Sequence, residues 1–305
     1  MKQKFQNIYI GFDYGVVLPF FALLPYKMGR FLAKCRGAVY FYLKRDWRSF
    51  TFGDDTLHDR AFRGLKSIVT NRSEKEYKLL LRSRYIHQSI EEYEAVLLRK
   101  GKFPAVEVEY RGLEAVEKSI AENPHCVFIT AHFGNSLAGV SFLEVLGVPV
   151  LGMSSDVTKK DMVNNSITKL YDEKYKAIGA KLNGGEVIDI EGNTKKFLKF
   201  LKQKGSLIII ADLPPTHHNE TPEFREFFGE KRGFASGATK LASSANSKII
   251  AFVSYYLNGK YIMQFSQENQ EPYSFLEQEI NKRPNLWWAS DLLELYPKKE
   301  SKNEI

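Results

Sequence analysis

Cysteine is nearly absent from this chain: Cys35 and Cys126 are the only two in 305 residues, and they lie far apart without metal or redox spacing. Neither a disulfide framework nor a cysteine-built metal site is therefore expected, and a reducing compartment is the plain reading. Long hydrophobic runs are missing as well. The uncharged stretch from Tyr14 to Tyr26 is shorter than the roughly 20 residues a helix needs to span a bilayer, and Pro19 and Pro25 interrupt it. It has no small-residue cleavage site, so a removed secretory leader is not expected. Glycine never takes the spacing of a phosphate loop or dinucleotide fingerprint: Gly184-Gly185 and Gly192 read as turns. No nucleotide site and no cofactor are expected. The pair His217-His218, in the polar loop Thr216 to Thr221, has no further ligand at metal spacing. Internal repeats and low-complexity tracts are absent too.

Acidic residues are the minority charge. Against 36 Asp and Glu stand 44 Lys and Arg, for a formal net charge of +8 and a pI near 9.2, which suits an anionic partner such as nucleic acid, phospholipid or an acidic carrier protein. Charge alone does not choose among these. Hydrophobic residues make up 44%, enough to bury a full core, and one structural domain is the favoured organisation. Beyond Tyr26 the basic residues Lys27, Arg30, Lys34, Arg36, Lys44, Arg45 and Arg48 alternate with Phe31, Leu32, Val39, Tyr40, Phe41, Tyr42, Leu43 and Trp47. That is the composition of a segment lying in the headgroup layer of an anionic membrane. An amphipathic helix packed on the protein's own core has the same composition.

Residues 1–100 read as a helical, membrane-associated arm, including the periodic stretch Glu74 to Arg99, which has neither Gly nor Pro. Over 101–296 apolar, β-rich runs alternate with helical ones. Strands are expected at Val106–Tyr110, Cys126–Thr130, Val148–Met153, Ser206–Ala211, Ile249–Tyr256 and Tyr261–Phe265, and helices at Leu113–Ala121, Ser136–Leu146, Met162–Ile178, Thr194–Lys204 and Ala238–Ala245. This alternation predicts an α/β domain with a mostly parallel central sheet flanked by helices. The charged segment 297–305 reads as a frayed tail.

His132 follows the apolar run Cys126–Thr130 and opens the block His132-Phe133-Gly134-Asn135-Ser136-Leu137. A histidine at the end of a buried strand, just before a helix, is well placed to take a proton from an attacking hydroxyl. The block resembles the His-Phe-Gly-Asn-Trp-Glu motif of the lipid A late acyltransferases, within the lysophospholipid acyltransferase superfamily. The match departs at Leu137, where the motif has a carboxylate. Three residues are candidates to orient the imidazole instead: first Asp212, which ends the strand Ser206–Ala211 and should leave a parallel sheet at the same edge, then Asn135 through its amide, and Glu144 on the next helix.

A second block resembles the same family in order and spacing. Asp212-Leu213-Pro214-Pro215 is followed by Arg225-Glu226-Phe227-Phe228-Gly229-Glu230 and then by Gly237-Ala238-Thr239. A glycine-led helix start offers amides to an anion, so Gly237, Ala238 and Thr239, together with the turn at Phe133-Gly134-Asn135, are expected to cradle a phosphate or an oxyanion. Phe228 and Gly229, with Arg225, Lys231 and Arg232 beside them, are expected to meet acidic headgroups or a phosphopantetheine carrier. The Arg283-Pro284-Asn285-Leu286-Trp287-Trp288 segment is similar to the family's terminal Pro-Trp segment, whose adjacent tryptophans can anchor at a membrane interface, with one of the two expected to pack inward.

Two departures, Ser154-Ser155-Asp156-Val157 in place of an arginine-rich segment and Lys174-Tyr175-Lys176 near an expected arginine, suggest an altered donor or acceptor. The resemblance implies an acyltransferase on the cytoplasmic face of the inner membrane. It would use an acyl carrier protein or other acyl thioester as donor and a hydroxyl of a lipid A-like glycolipid as acceptor, and no nucleic acid. Transfer of an aminoacyl unit such as glycine, and a catalytically silent glycolipid-binding role in surface polysaccharide assembly, are the alternatives.

Overall fold

A computed structural model describes residues 2–103, 106–155, 163–203, 205–215 and 221–299. The first part is helical, with α1 (Lys2–Phe12), a π-helical turn (Asp13–Val17), α2 (Leu18–Phe21), α3 (Tyr26–Leu43), α4 (Trp47–Phe52), α5 (Leu57–Ile68) and α6 (Glu74–Arg99). Local chemistry sets the ends. Ser73 and Glu76 form a reciprocal capping box that starts α6, and Asp46 caps α4 by accepting from the amides of Arg48 and Ser49.

The second part runs β1 (Val108–Arg111), α7 (Leu113–Glu122), β2 (Val127–Thr130), α8 (Ser136–Phe142), β3 (Val150–Ser154), α9 (Asn165–Gly179), β4 (Val187–Asp189), α10 (Thr194–Gln203), β5 (Ser206–Ile210), β6 (Glu223–Phe227), β7 (Glu230–Phe234), α11 (Gly237–Ala245), β8 (Ile249–Leu257), β9 (Lys260–Phe265) and α12 (Pro272–Lys282). Two 3₁₀ segments, Pro284–Leu286 and Trp288–Leu295, follow. Among the described residues seven strands form one sheet in the order β1-β9-β8-β2-β5-β3-β4. Every neighbouring pair is parallel except β8 with β9. Both sheet faces are covered, which is why β2 is buried at every position and reads as an unbroken apolar run. The protein is thus an α/β fold with a mostly parallel sheet between helical layers.

The helical arm has its own core, built from Leu18, Ala33, Leu81, Tyr93 and their neighbours, and it reaches Ile167 and Leu170 of α9. The four arginines expected in a headgroup layer are otherwise engaged. Arg36, buried, donates to Asp13 at 2.9 Å and to Glu92 at 2.6 Å. Arg30 pairs with buried Glu94, Arg48 with Asp46 and Asp291, and Arg45 with Asp55 at the surface. Lys27, Lys34 and Lys44 remain exposed. No helix among the described residues is long and apolar enough to cross a membrane.

Three segments differ from expectation. β4 is short and half-buried, too weak a period to read. β6 and β7, expected as loop, form an antiparallel hairpin in which Phe227 faces Glu230. Its two-residue turn is Phe228-Gly229, with φ of 52° and 70°, the left-handed pair such tight turns require. Pro297–Lys299, expected as part of the frayed tail, are tied to β7: the amide of Gly233 donates to the Pro297 carbonyl at 2.7 Å and that of Lys299 to the Lys231 carbonyl at 3.1 Å. Residues 300–305, Asp156-Val157 and His217-His218 lie outside the described residues.

Candidate active site

The register of two parallel strands positions the site. Thr130 of β2 lies opposite Ile210 of β5, so His132 and Asp212, each two residues further on, leave the sheet side by side. The carboxylate of Asp212 is 1% exposed. Its Oδ1 lies 2.8 Å from His132 Nδ1, and its Oδ2 accepts from the His132 amide at 2.8 Å and from Trp287 Nε1 at 2.7 Å. A carboxylate only accepts, so the imidazole carries its proton on Nδ1, leaving the Nε2 lone pair free to take one. The His132 side chain keeps 15% exposure. Its ring meets Trp288 edge to face at 4.2 Å, and the Trp288 amide donates to the His132 carbonyl at 3.0 Å.

The turn after His132 depends on Gly134. Its φ is 61°, and a Cβ there would sit 2.2 Å from the Ser254 carbonyl oxygen. The Gly134 amide donates to Leu286 O at 2.9 Å and the Asn135 amide to Ser254 O at 3.1 Å. Both amides are spent, so this turn does not offer the anion cradle that the sequence suggested. Asn135 does not orient the imidazole either: its carbonyl oxygen caps α8 by accepting from the Ala138 amide at 2.9 Å, and its amide nitrogen donates to Glu94. Phe133 is fully buried in the core and presents nothing to a substrate.

Other expected residues disperse. Glu144 pairs with Lys181 at 3.1 Å, at the surface and away from His132. Leu137 packs against the apolar cluster of Val116, Val140 and Leu143. Arg232 is buried and donates to the carbonyls of Phe227 and Leu293, so it braces the hairpin instead of binding a headgroup. Arg225 is held by Glu223 and Glu271 and donates to the Thr239 hydroxyl at 3.2 Å. Lys231 is exposed. Phe228 packs at a tilt against Trp287, with ring centres 5.5 Å apart, and Gly229 completes the turn.

Gly237, Ala238 and Thr239 begin α11, where the N-cap Ser236 makes no side-chain cap among the described residues. Their amides have no intrahelical acceptor, and the amide of Ala235 donates to Leu213 O at 3.4 Å, setting this helix start beside the residue after Asp212.

Residues from distant parts of the chain complete the site. Trp287 is the inward-packing member of the tryptophan pair: it is fully buried and holds Asp212. Trp288 covers His132 and lies under Arg48 at 4.7 Å. Arg84 of α6, wholly buried, donates to the Trp288 carbonyl at 2.9 Å and to Asp291 at 2.6 Å. Glu91 of the same helix accepts from the Ser136 hydroxyl at 3.4 Å and lies within electrostatic reach of His132 and of Lys174 on α9. Burial pushes the Glu91 carboxyl up to about 7 against the pull of Lys174. Burial likewise pushes Lys174 down to about 8, with Glu91 opposing.

A histidine whose Nδ1 is held by a buried carboxylate, at the carboxyl edge of a parallel sheet, is an arrangement suited to moving a proton during group transfer. A family model described as bacterial lipid A biosynthesis acyltransferase matches residues 4–288. The chain belongs to that family, whose members use an acyl donor and a lipid A-like acceptor. No curated protein matches the chain significantly.

Proposed function

We propose that this protein transfers an acyl group from a carrier-bound thioester to a hydroxyl of a lipid A-like glycolipid, with His132 as general base and Asp212 as the carboxylate that orients it. The observation that carries this reading is the 2.8 Å contact between His132 Nδ1 and the buried Asp212. As the acceptor oxygen attacks the thioester carbonyl, Nε2 takes its proton. The carbon–sulfur bond then breaks, and the imidazolium returns the proton to the departing thiolate. The amides that open α11, which have no intrahelical acceptor, are suited to the oxyanion formed between the two steps.

The arm supports work at a membrane surface. Ile8, Phe12, Val16 and Phe20 are spaced four apart along α1 and its continuation, and Met28, Phe31, Val39 and Tyr42 share one face of α3; all are more than half exposed. With Lys27, Lys34 and Lys44 also exposed, this is an apolar face with basic flanks that can lie in the interface of an anionic bilayer without crossing it. We assign it to the cytoplasmic face of the inner membrane, where carrier-bound acyl chains are available.

Lipid mass spectrometry on a deletion strain complemented with wild type or His132→Ala tests the activity. A species that disappears with His132→Ala is the expected result, and its mass separates a fatty acyl from a glycyl increment. Full complementation by His132→Ala would replace this reading with a binding role.

A further inference from the structure

Lys174 is a largely buried cation whose acidic neighbours, Glu91 and Glu92, act on it only from a distance. Its side chain is 95% removed from solvent, being 5% exposed, and its ammonium makes no hydrogen bond or ion pair among the described residues. What surrounds it is mostly aromatic: Nζ lies 3.7 Å from the ring centre of Tyr171 and 5.3 Å from that of Tyr175. Such faces support a cation without neutralising it. The acidic neighbours do not complete it. Glu92 is taken by Arg36 at 2.6 Å, and Glu91 accepts only the long Ser136 bond; neither comes within the 4.0 Å of an ion pair.

Holding a largely buried ammonium with no protein acceptor among the described residues is unfavourable. Ser136 stands four residues after His132 at the start of α8, and its hydroxyl reaches Glu91, so the three elements α6, α8 and α9 converge at one side of the site. From this geometry we infer that Lys174, flanked by Glu91 and Ser136, is the binding site for a phosphate ester of the substrate. Phosphate supplies the acceptor oxygens that the ammonium lacks. Burial holds the Glu91 carboxyl above the usual carboxylate range, which lessens its opposition to an anion beside Lys174. Two phosphate esters fit the proposed acyl transfer: the phosphorylated headgroup of the glycolipid and the phosphopantetheine arm of the donor. The inference rests on that proposed function only for which esters are offered.

The test measures binding without turnover, in the full-length protein carrying His132→Ala, by isothermal titration. One pair of probes is a diphosphorylated disaccharide glycolipid and its dephosphorylated counterpart, and the other is phosphopantetheine and pantetheine. The phosphorylated member of one pair should bind on the order of 10- to 100-fold more tightly, and the pair that shows this identifies the source. Lys174→Met should abolish the preference and Lys174→Arg keep part of it. Lys174→Met removes a buried unpaired charge at similar volume and should fold; Lys174→Gln provides a second neutral replacement. No preference in either pair, or a preference unchanged in both Lys174→Met and Lys174→Gln, overturns the inference. Acyl transfer by the wild type is scored separately, so its absence bears on the proposed function and leaves the binding result standing.

Discussion

Replacing Asp212 by Asn isolates the charge from the shape of the site, and the geometry dictates how the amide will settle. Oδ2 accepts two hydrogen bonds, from the His132 amide at 2.8 Å and Trp287 Nε1 at 2.7 Å, whereas Oδ1 faces only His132 Nδ1 at 2.8 Å. The asparagine oxygen will take the two-donor position, because the NH₂ group there would confront two N–H groups. Its NH₂ then faces Nδ1, which must become an acceptor, and the imidazole proton moves to Nε2. A histidine protonated on Nε2 cannot take a proton from the acceptor hydroxyl. The corresponding exchange in a serine protease triad costs about 10⁴ in turnover, and a loss of that order is expected here. The stability cost is smaller: one hydrogen bond to a charged group, about 1.5–3 kcal/mol. Asp212→Ala should cost more, because it leaves two buried donors unmatched at about 1–3 kcal/mol each. Single-turnover transfer from a carrier-bound acyl chain, followed by mass spectrometry alongside thermal unfolding, measures both quantities. A folded Asp212→Asn protein with transfer within tenfold of wild type would refute the assignment of Asp212.

Restoring the motif carboxylate by Leu137→Glu should not raise activity, and should destabilise by about 1–3 kcal/mol, since position 137 packs among Val116, Val140 and Leu143; a rate gain at unchanged stability would contradict this. Phe12→Glu combined with Phe31→Glu should reduce co-sedimentation with anionic phospholipid vesicles while leaving the melting temperature near that of wild type, and undiminished binding would exclude this face as the contact. His87 provides a pH test: burial, helped by Arg30 and Lys34, pushes it from 6.5 down to about 4. The unfolded chain therefore takes up its proton first as pH falls, so this contribution to stability is complete above pH 6.5 and is lost progressively toward pH 4. Urea unfolding at pH 7 and pH 5 should show a smaller loss for His87→Gln than for wild type, and equal losses would rule His87 out.

What could be read from the sequence was what repeats locally or follows from parallel topology. The alternation of apolar strands with helices is a local signal. The meeting of His132 with Asp212 follows once both strands are parallel neighbours, because equivalent ends share an edge. Asn135 misled because a capping asparagine and an orienting one look alike in sequence; the choice is made by Glu94, 41 residues away. Gly134 marks a turn, but only its contacts reveal that its amide is already bound to Leu286 O. The β6–β7 hairpin was hidden by charged, aromatic strands whose pairing depends on a turn with left-handed Phe228. Glu91, Arg84 and Lys174 lie on helices where charge at helical spacing ordinarily means a solvated face, and only the packing of α6 on α9 and on the Trp288–Leu295 segment turns them inward.

The segment from Pro284 to Leu295 ties the His132–Asp212 pair to residues made well after it. Trp287 emerges from the ribosome 75 residues after the Asp212 it holds, and the carbonyl of Trp288 comes 204 residues after Arg84, which grips it. The fit is close where the segment seats: a Cβ on Gly64 of α5 would lie 2.0 Å from the Ser290 carbonyl oxygen. A nascent chain therefore displays the helices proposed to meet the bilayer long before its histidine is clamped in working orientation. Translation thus completes the helical arm before the contacts that clamp His132 can form.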